Sequence, residues 1–216
     1  MTDARAAHSE AVTAAQRRRG LRSVVARVSA QPPAWAGYAA FAWAASYALC
    51  VRLYQGLGGT VGLAGAFEDP DTMRRASLIA AGGILLVGVA SLALVRPWGL
   101  RLPRRLVIAA ALAGSSYAAA HALTAYVTKP LHAAGVIELQ FHGWATRHEA
   151  AQFAWDLLFY EPWFLGLGVF VTLGALHHHR RTGGSARAAA RLAWTTFAGA
   201  LSLTAIACAI VVARDT

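Results

Sequence analysis

Two carboxylates interrupt an otherwise apolar segment of the chain. Asp156 and Glu161 both lie within residues 155–164, and Pro162 directly follows the second of them. A charged side chain at the centre of a membrane costs at least ~2.5 kcal/mol, so an acid there is by default a functional-site hypothesis. If the segment crosses a membrane, it predicts a site at which a carboxyl group gives or takes a proton.

A polar stripe on another apolar segment is expected near these acids. Tyr117, His121, Thr124 and Thr128 are spaced at i, i+4, i+7 and i+11, which places them on one face of a helix. At the rise of an α-helix, His121 and Glu161 fall at comparable depths if the two segments run in opposite directions. The pattern therefore predicts ionisable groups from separate segments in one half of the bundle.

Arg52 adds a cation to the same half, because it lies at the end of the first apolar segment. We assign Glu161 as the general acid and Asp156 as its electrostatic partner, with His121 and Arg52 tuning or orienting them. Five residues apart, the two acids diverge by about 140° on an ideal helix. Pro162 is expected to kink the segment and move Glu161 out of helical geometry. The kink either turns both carboxylates inward or sets one against Arg52 and the other toward a cavity.

Structural roles compete with this interpretation. Asp156 can lie at the membrane interface, where headgroup water solvates it. Glu161 can form a bridge to Arg52 or His121 that only holds the bundle together. His121 alone is also compatible with an ordinary hydrogen bond between helices.

The composition is that of an integral membrane protein. The 216 residues are 57% hydrophobic and 14% charged, whereas soluble domains average about 25% charged. Lipid offers no water to backbone groups, so long apolar runs without alternation predict helices. We predict an all-α membrane bundle of about five transmembrane helices, each near the ~20 residues that cross the hydrocarbon. They are residues 34–54, 76–95, 106–127, 150–176 and 192–213.

The formal charge of +10 follows the expected topology. With the N-terminus in the cytoplasm, most arginines fall on the cytoplasmic side and only two acids, Asp3 and Glu10, share it, as the positive-inside rule requires. We divide the chain into a basic cytoplasmic segment, residues 1–31, and a transmembrane bundle, residues 32–216. The expected partners are membrane lipids and an apolar small molecule, not nucleic acid. Arginine in place of lysine almost throughout is typical of a GC-rich bacterial genome, which predicts the bacterial inner membrane.

No metal or cofactor is expected at the site. The sequence contains no HExxH zinc motif, nucleotide-binding loop or nucleophile elbow. The run His177, His178 and His179 is followed by Arg180 and Arg181, so we interpret it as a charged collar at the membrane interface.

The loop after the first apolar segment resembles that of a family of small bacterial membrane proteins of unknown function. Residues 53–63 read Leu-Tyr-Gln-Gly-Leu-Gly-Gly-Thr-Val-Gly-Leu, and Pro70 closes the loop. In that family an aromatic-small-Gly-Gly-x-x-Gly stretch follows the first span, with tryptophan where this chain has Gln55. The resemblance covers about residues 35–181, leaves the last span outside and implies no activity.

A second resemblance points to a reaction. Residues 159–164, Phe-Tyr-Glu-Pro-Trp-Phe, are similar to the Pro/Glu-Glu-aromatic motif of membrane lycopene cyclases, without its doubled glutamate. The overall plan resembles integral-membrane terpene cyclases, which protonate an alkene or epoxide and shelter the carbocation with aromatic side chains. This resemblance implies that the two carboxylates are the acids and that Trp155, Tyr160 and Trp163 stabilise the cation.

The functional hypothesis is an intramembrane enzyme that starts cyclisation of an apolar isoprenoid by proton transfer. The predicted substrate-binding residues are Arg52, Tyr117, Trp155, Tyr160 and Trp163. The alternative is a non-catalytic membrane subunit, or a small transporter, whose buried charges pair structurally or carry a proton. A cyclase requires a lipid-open pocket lined by Glu161 and aromatics, whereas a subunit requires a continuous apolar face without a cavity.

Overall fold

The computed structural model describes residue 20 and residues 23–215. Most of the predicted basic segment, including Asp3 and Glu10, therefore lies outside the described residues, whereas residues 23–30 are helical. Six further α-helices follow along the chain. They are α1 (Ala36–Tyr47), α2 (Pro70–Ser91), α3 (Arg104–Ala133), α4 (Glu149–Trp155), α5 (Glu161–Arg181) and α6 (Ala186–Asp215).

Two π-helical turns extend these helices. Helix α1 continues through the π-helical Ala48–Leu53 to a last α-turn at Tyr54–Gly56. A second π-helical turn, Asp156–Tyr160, joins α4 and α5 into one continuous rod. Short 3-10 turns follow α2 at Leu92–Leu94 and precede α3 at Pro97–Arg101.

The predicted all-α bundle is confirmed, and four helical stretches of the described chain are long and apolar enough to cross a membrane. They are Pro70–Leu94, Arg104–Ala133, Glu149–Arg181 and Ala186–Ala213. The first predicted span is helical as well. Its helix carries Arg52, continues past the predicted end to Gly56, includes the buried Gln55 there, and is not among the four.

The two ends of the bundle differ in structure. At the sheet end, strand β1 (Gly65–Phe67) pairs antiparallel with strand β2 (Trp144–Arg147), with Gly65 opposite Arg147. At the basic end, the turn Pro97–Arg101 lies near the loop between α5 and α6, as the hydrogen bond from Arg104 to the Thr182 carbonyl shows. The described acidic side chains lie toward the sheet end.

Local sequence defines where α2 begins. The Asp69 carboxylate caps the helix by accepting hydrogen bonds from the Asp71 amide, at 3.0 Å, and from the Thr72 hydroxyl. The hydrogen bond from Thr72 lowers the pKa of Asp69 below its ordinary value. Pro70 occupies the first turn, where no amide hydrogen is needed.

Small residues let the helices approach closely. Helices α3 and α5 make the most extensive contact. A Cβ atom on Gly168 of α5 would lie 3.0 Å from the Ser115 carbonyl of α3, so the two backbones nearly touch. The central core cluster is almost wholly aliphatic, comprising Ala40, Ala44, Leu94, Val95, Val107, Leu167, Val171 and Ala175. Many large apolar side chains, such as Leu86 and Ile206, remain exposed, as expected for helices that face lipid.

Candidate active site

A π-helical turn brings the two predicted acids toward one neighbour. Asp156 begins this turn and Glu161 follows its last residue. Because a π-helix makes i to i+5 hydrogen bonds, residues five apart lie closer to one face than they do on an α-helix. Glu161 keeps helical dihedral angles, φ −70° and ψ −37°, and Pro162 lies in the first turn of α5. The prediction that Pro162 moves Glu161 out of helical geometry is therefore wrong.

Lys129 bridges the two carboxylates. Its Nζ atom lies 2.7 Å from Asp156 Oδ2 and 3.4 Å from Glu161 Oε1. The side chains of Lys129, Asp156 and Glu161 are 13%, 16% and 5% exposed, so the charges are largely shielded from solvent. Gln152 Nε2 donates to the second Asp156 oxygen at 2.9 Å. Both oxygens of Asp156 are thus occupied by protein groups.

Sequence reasoning missed Lys129. The third apolar segment was predicted to end at residue 127, but α3 continues to Ala133 with Pro130 inside it. Lys129 therefore projects from a helix rather than a loop. Two features of the sequence single out Lys129 as a candidate. It is the single lysine of a chain that otherwise uses arginine, and it directly follows the polar stripe.

His121 contacts the other oxygen of Glu161. Its Nε2 atom is 3.6 Å from Glu161 Oε2, and its ring packs on Phe164 with the ring centroids 4.3 Å apart. Glu161 Oε2 is buried and has no hydrogen-bond partner, whereas the His121 side chain is 45% exposed. The structure thus brings His121, Asp156 and Glu161 together and leaves one glutamate oxygen without a hydrogen bond.

A groove of about 500 Å³ opens beside these groups, between α3 and α6. Its volume is in the range of small-molecule sites, roughly 300–1,000 Å³. The polar wall carries Glu161, Lys129 and the whole predicted stripe from Tyr117 to Thr128. The opposite wall is aliphatic and comes from α6, with Leu203, Ile206, Ala207 and Ile210.

Arg52 belongs to a separate polar group. Its guanidinium carbon lies 5.6 Å from the centroid of the Tyr47 ring and 6.0 Å from that of Tyr160. One of its nitrogens donates to Gln55 Oε1 at 3.4 Å. Lys129, not Arg52, is the cation that pairs with Asp156 and Glu161, because Arg52 lies on the π-helical turn of α1 and is engaged by Gln55 and the two rings.

Tyr160 anchors the glycine-rich loop. Its hydroxyl accepts a hydrogen bond from Gln55 Nε2 at 3.1 Å and donates to the Gly62 carbonyl at 3.0 Å. Gly62 has φ +84°, and a Cβ atom there would overlap the Tyr160 hydroxyl, so only glycine fits. Gln55, which replaces the tryptophan of the resembled family, is 2% exposed. The glycine-rich loop thus serves to hold Tyr160.

Of the predicted aromatic substrate-binding side chains, Tyr117 lines the groove and the other three lie outside it. Trp163 stacks on Trp43, with ring centroids 4.2 Å apart, and Trp155 packs edge-on against Phe159 at 5.7 Å. Neither of them, nor Tyr160, is among the residues that line it. Tyr117 is the aromatic side chain of the lining.

Comparison with known proteins supports the first of the two resemblances. The model of a family described as a protein of unknown function (DUF3995) matches residues 46–171, more than half of the chain. The matched range contains Lys129 and both carboxylates but ends before α6. No curated protein and no solved structure matches the chain.

Proposed function

The chain belongs to the DUF3995 family, whose function is unknown, and we propose that it is an intramembrane enzyme in which Glu161 protonates an apolar isoprenoid-like substrate. The observation that carries the proposal is Glu161 Oε2, which is buried without a hydrogen bond in a residue that lines a groove. This oxygen makes no hydrogen bond within the protein, and its recorded neighbour is His121 Nε2 at 3.6 Å, which supports the role of a proton donor with a base beside it.

The charges around Glu161 support the same role. One ammonium group, Lys129, faces two carboxylates. With Asp156 ionised, the pair of Lys129 and Asp156 has no net charge. An ionised Glu161 would add an uncompensated charge to a largely buried site, which is unfavourable. A proton on Glu161 removes that charge and supplies the acid.

In the proposed reaction, Glu161 transfers its proton to one carbon of a substrate alkene, whose π electrons form the new C–H bond and leave a carbocation. A second double bond of the substrate attacks the cation and closes a ring. The ring cation then loses a proton to His121, whose side chain is 45% exposed and releases the proton to solvent, and a solvent proton restores Glu161. The product is an isomer of the substrate, so atoms and electrons balance without a further reactant.

The groove limits the kind of substrate that we propose. Its α6 wall is aliphatic, and Tyr117 is its aromatic side chain. Because Trp155, Tyr160 and Trp163 lie elsewhere, an extended aromatic cage for a series of cations is not part of the proposal. We therefore propose a short acid-initiated cyclisation of a flexible isoprenoid rather than the assembly of several rings.

We also propose that the protein lies in the bacterial inner membrane with its basic end in the cytoplasm. The support is the charge distribution required by the positive-inside rule. Described arginines at that end include Arg96, Arg101, Arg104, Arg105, Arg180, Arg181, Arg187 and Arg191. A reporter fused to the C-terminus of α6 is then expected on the periplasmic side.

The experiment is deuterium transfer from solvent. The purified protein in lipid nanodiscs is incubated in D2O with linear isoprenoid alkenes. The products are separated by gas chromatography, and their masses are measured by mass spectrometry. Protonation by Glu161 places one deuterium in each cyclised product. Glu161→Gln is expected to abolish this product and to leave a cooperative thermal unfolding transition.

Glu149→Gln is the matched control, because Glu149 lies outside the groove and is 41% exposed. It is expected to retain deuterium transfer. Full transfer by Glu161→Gln contradicts the proposal. Failure of the wild-type protein on every isoprenoid contradicts the substrate class.

The alternative function is a non-catalytic membrane subunit or small transporter with a structural ion pair. The observation that favours it is the direct contact of Lys129 with both carboxylates. This alternative predicts that Glu161→Gln removes the folded protein itself, since the acids then hold the bundle together. The unfolding transition in the same experiment separates the two functions.

A further inference from the structure

A second groove lies at the basic end, between α2, α3 and α5. It has a volume of about 450 Å³ and contains none of the residues assigned to the acid site. Its walls come from all three helices and from the turn before α3, and include Leu86, Leu94, Trp98, Leu106, Gly114 and Val171. The groove is therefore separate from the acid site, and its ligand can be inferred independently of the proposed function.

The hydroxyl groups in its lining are already used within the protein. Ser91 Oγ donates to the Val87 carbonyl at 2.8 Å, and Ser115 Oγ donates to the Leu112 carbonyl at 3.1 Å. The remaining lining is almost entirely hydrocarbon. A ligand with polar groups would lose its own hydrogen bonds here, so the walls fit an alkyl chain.

Two exposed arginines, next in sequence to residues of the lining, add positive charge beside the groove. Arg101 and Arg105 are exposed and directly precede Leu102 and Leu106, which line the groove. Among the described residues, neither arginine forms an ion pair or a side-chain hydrogen bond. Arg104 between them is engaged, with one nitrogen 2.9 Å from His179 Nδ1.

We propose that this groove binds an anionic phospholipid, with one acyl chain along the apolar wall and the phosphate between Arg101 and Arg105. Trp98 lies at the same mouth and is 42% exposed, as tryptophans at the membrane interface are. Two free guanidinium groups at the mouth of an apolar groove complement a phosphate joined to an alkyl chain. The charge complementarity selects a lipid over an uncharged apolar occupant.

The first test measures selectivity for the headgroup. Delipidated protein in an uncharged detergent is titrated with phosphatidylglycerol or with phosphatidylcholine of the same acyl chains, and bound lipid is counted by native mass spectrometry. Phosphatidylglycerol is expected to bind more tightly. The double variant Arg101→Gln with Arg105→Gln should lose this preference, and its affinity for phosphatidylglycerol should fall about tenfold.

The matched control is Arg187→Gln with Arg191→Gln. These two arginines are also exposed, also four residues apart, and lie at the same end of the bundle on α6. They are expected to leave the preference for phosphatidylglycerol unchanged. An equal loss in both double variants would mean that net charge alone attracts the lipid, and the assigned headgroup site would be wrong.

The second test fills the groove. Gly114 lines it, and nothing lies within 4 Å of a Cβ atom built there, so Gly114→Leu is expected to fold normally. It should reduce the binding of both lipids at least fivefold. Gly82→Leu is the control, since Gly82 is a helical glycine with equally open space that lies outside the groove.

Four further outcomes overturn the proposal. The first three are unchanged binding in Gly114→Leu, equal affinity of the wild-type protein for the two lipids, and displacement of the lipid by inorganic phosphate alone. A fourth is a wild-type dimer that Gly114→Leu converts to a monomer, because a second copy would then be the occupant of the groove.

Discussion

Charged side chains at the two ends of the bundle bind different partners. At the sheet end they bind one another: Lys129 contacts Asp156 and Glu161 inside the protein. At the basic end they bind the backbone: Arg104 donates to the Thr182 carbonyl and Arg181 to the Val95 carbonyl. Carbonyls at helix C-termini attract cations, so Arg104 and Arg181 complete helix ends at the basic end.

This difference distinguishes charged groups with a purely structural role from charged groups that can exchange a proton. An arginine bound to a carbonyl has one stable arrangement and no reason to exchange a proton. Two carboxylates that share one ammonium group have more than one stable arrangement, because the number of protons held by the three groups can change. We therefore propose the sheet end as the place for proton transfer, and the basic end as the place for orientation in the membrane and for binding anionic lipid.

The largest expected effect comes from removing the shared cation. Lys129→Met leaves Asp156 and Glu161 together in a site where they are 16% and 5% exposed. Breaking a buried ion pair by deleting one partner costs about 3–5 kcal/mol. Unfolding in a denaturant, followed in detergent micelles, should show a loss of stability of that size.

A double variant distinguishes this explanation from a loss of packing. Lys129→Met with Asp156→Asn removes the uncompensated charge and should recover much of the lost stability. If the double variant is as unstable as Lys129→Met alone, the uncompensated charge of Asp156 is not the cause, and the contrast between the two ends would lose its physical basis.

Sequence patterns predicted the bundle well because the membrane restricts the choices. Long apolar runs bounded by glycine and proline become helices when the backbone has no water to bind, and four of the predicted spans are found in the structure. The stripe from Tyr117 to Thr128 faces a groove, since helical spacing alone determines which side chains share a face.

The pairing of charges could not be predicted in the same way. The end of α3 depends on tertiary contacts that carry the helix past Pro130, and only this extension brings Lys129 to the acids. The π-helical turn Asp156–Tyr160 inserts one residue into a helix, which no hydrophobic period signals. Because of these two features, the cation that pairs with Glu161 is Lys129 and not the predicted Arg52.

The basic end should show an intermediate effect. Arg104→Gln removes the donor to the Thr182 carbonyl, at 3.2 Å, and the contact with His179. Hydrogen bonds made by charged groups contribute about 1.5–3 kcal/mol, so denaturant unfolding should show a loss in this range. Arg105→Gln is the adjacent control and should change stability by less than about 0.5 kcal/mol. An equal effect at both positions would mean that general charge, not carbonyl binding, stabilises this end.

The smallest expected effect tests how the sheet end holds its π-helical turn. The Tyr126 hydroxyl of α3 donates to the Leu157 carbonyl inside that turn, at 2.7 Å. Tyr126→Phe removes only this hydrogen bond and should reduce stability by about 1 kcal/mol. Tyr117→Phe is the control, because Tyr117 lies on the same helix, is 67% exposed and is expected to leave stability unchanged.

Activity and stability should separate in this variant. A looser turn shifts Asp156 and Glu161 relative to Lys129, so deuterium transfer in Tyr126→Phe is expected to fall several-fold while most of the protein remains folded. If stability falls but transfer does not, the π-helical turn is an ordinary structural element. The ion pairs would then position Glu161 without it, and the contrast between the two ends would rest on Lys129 alone.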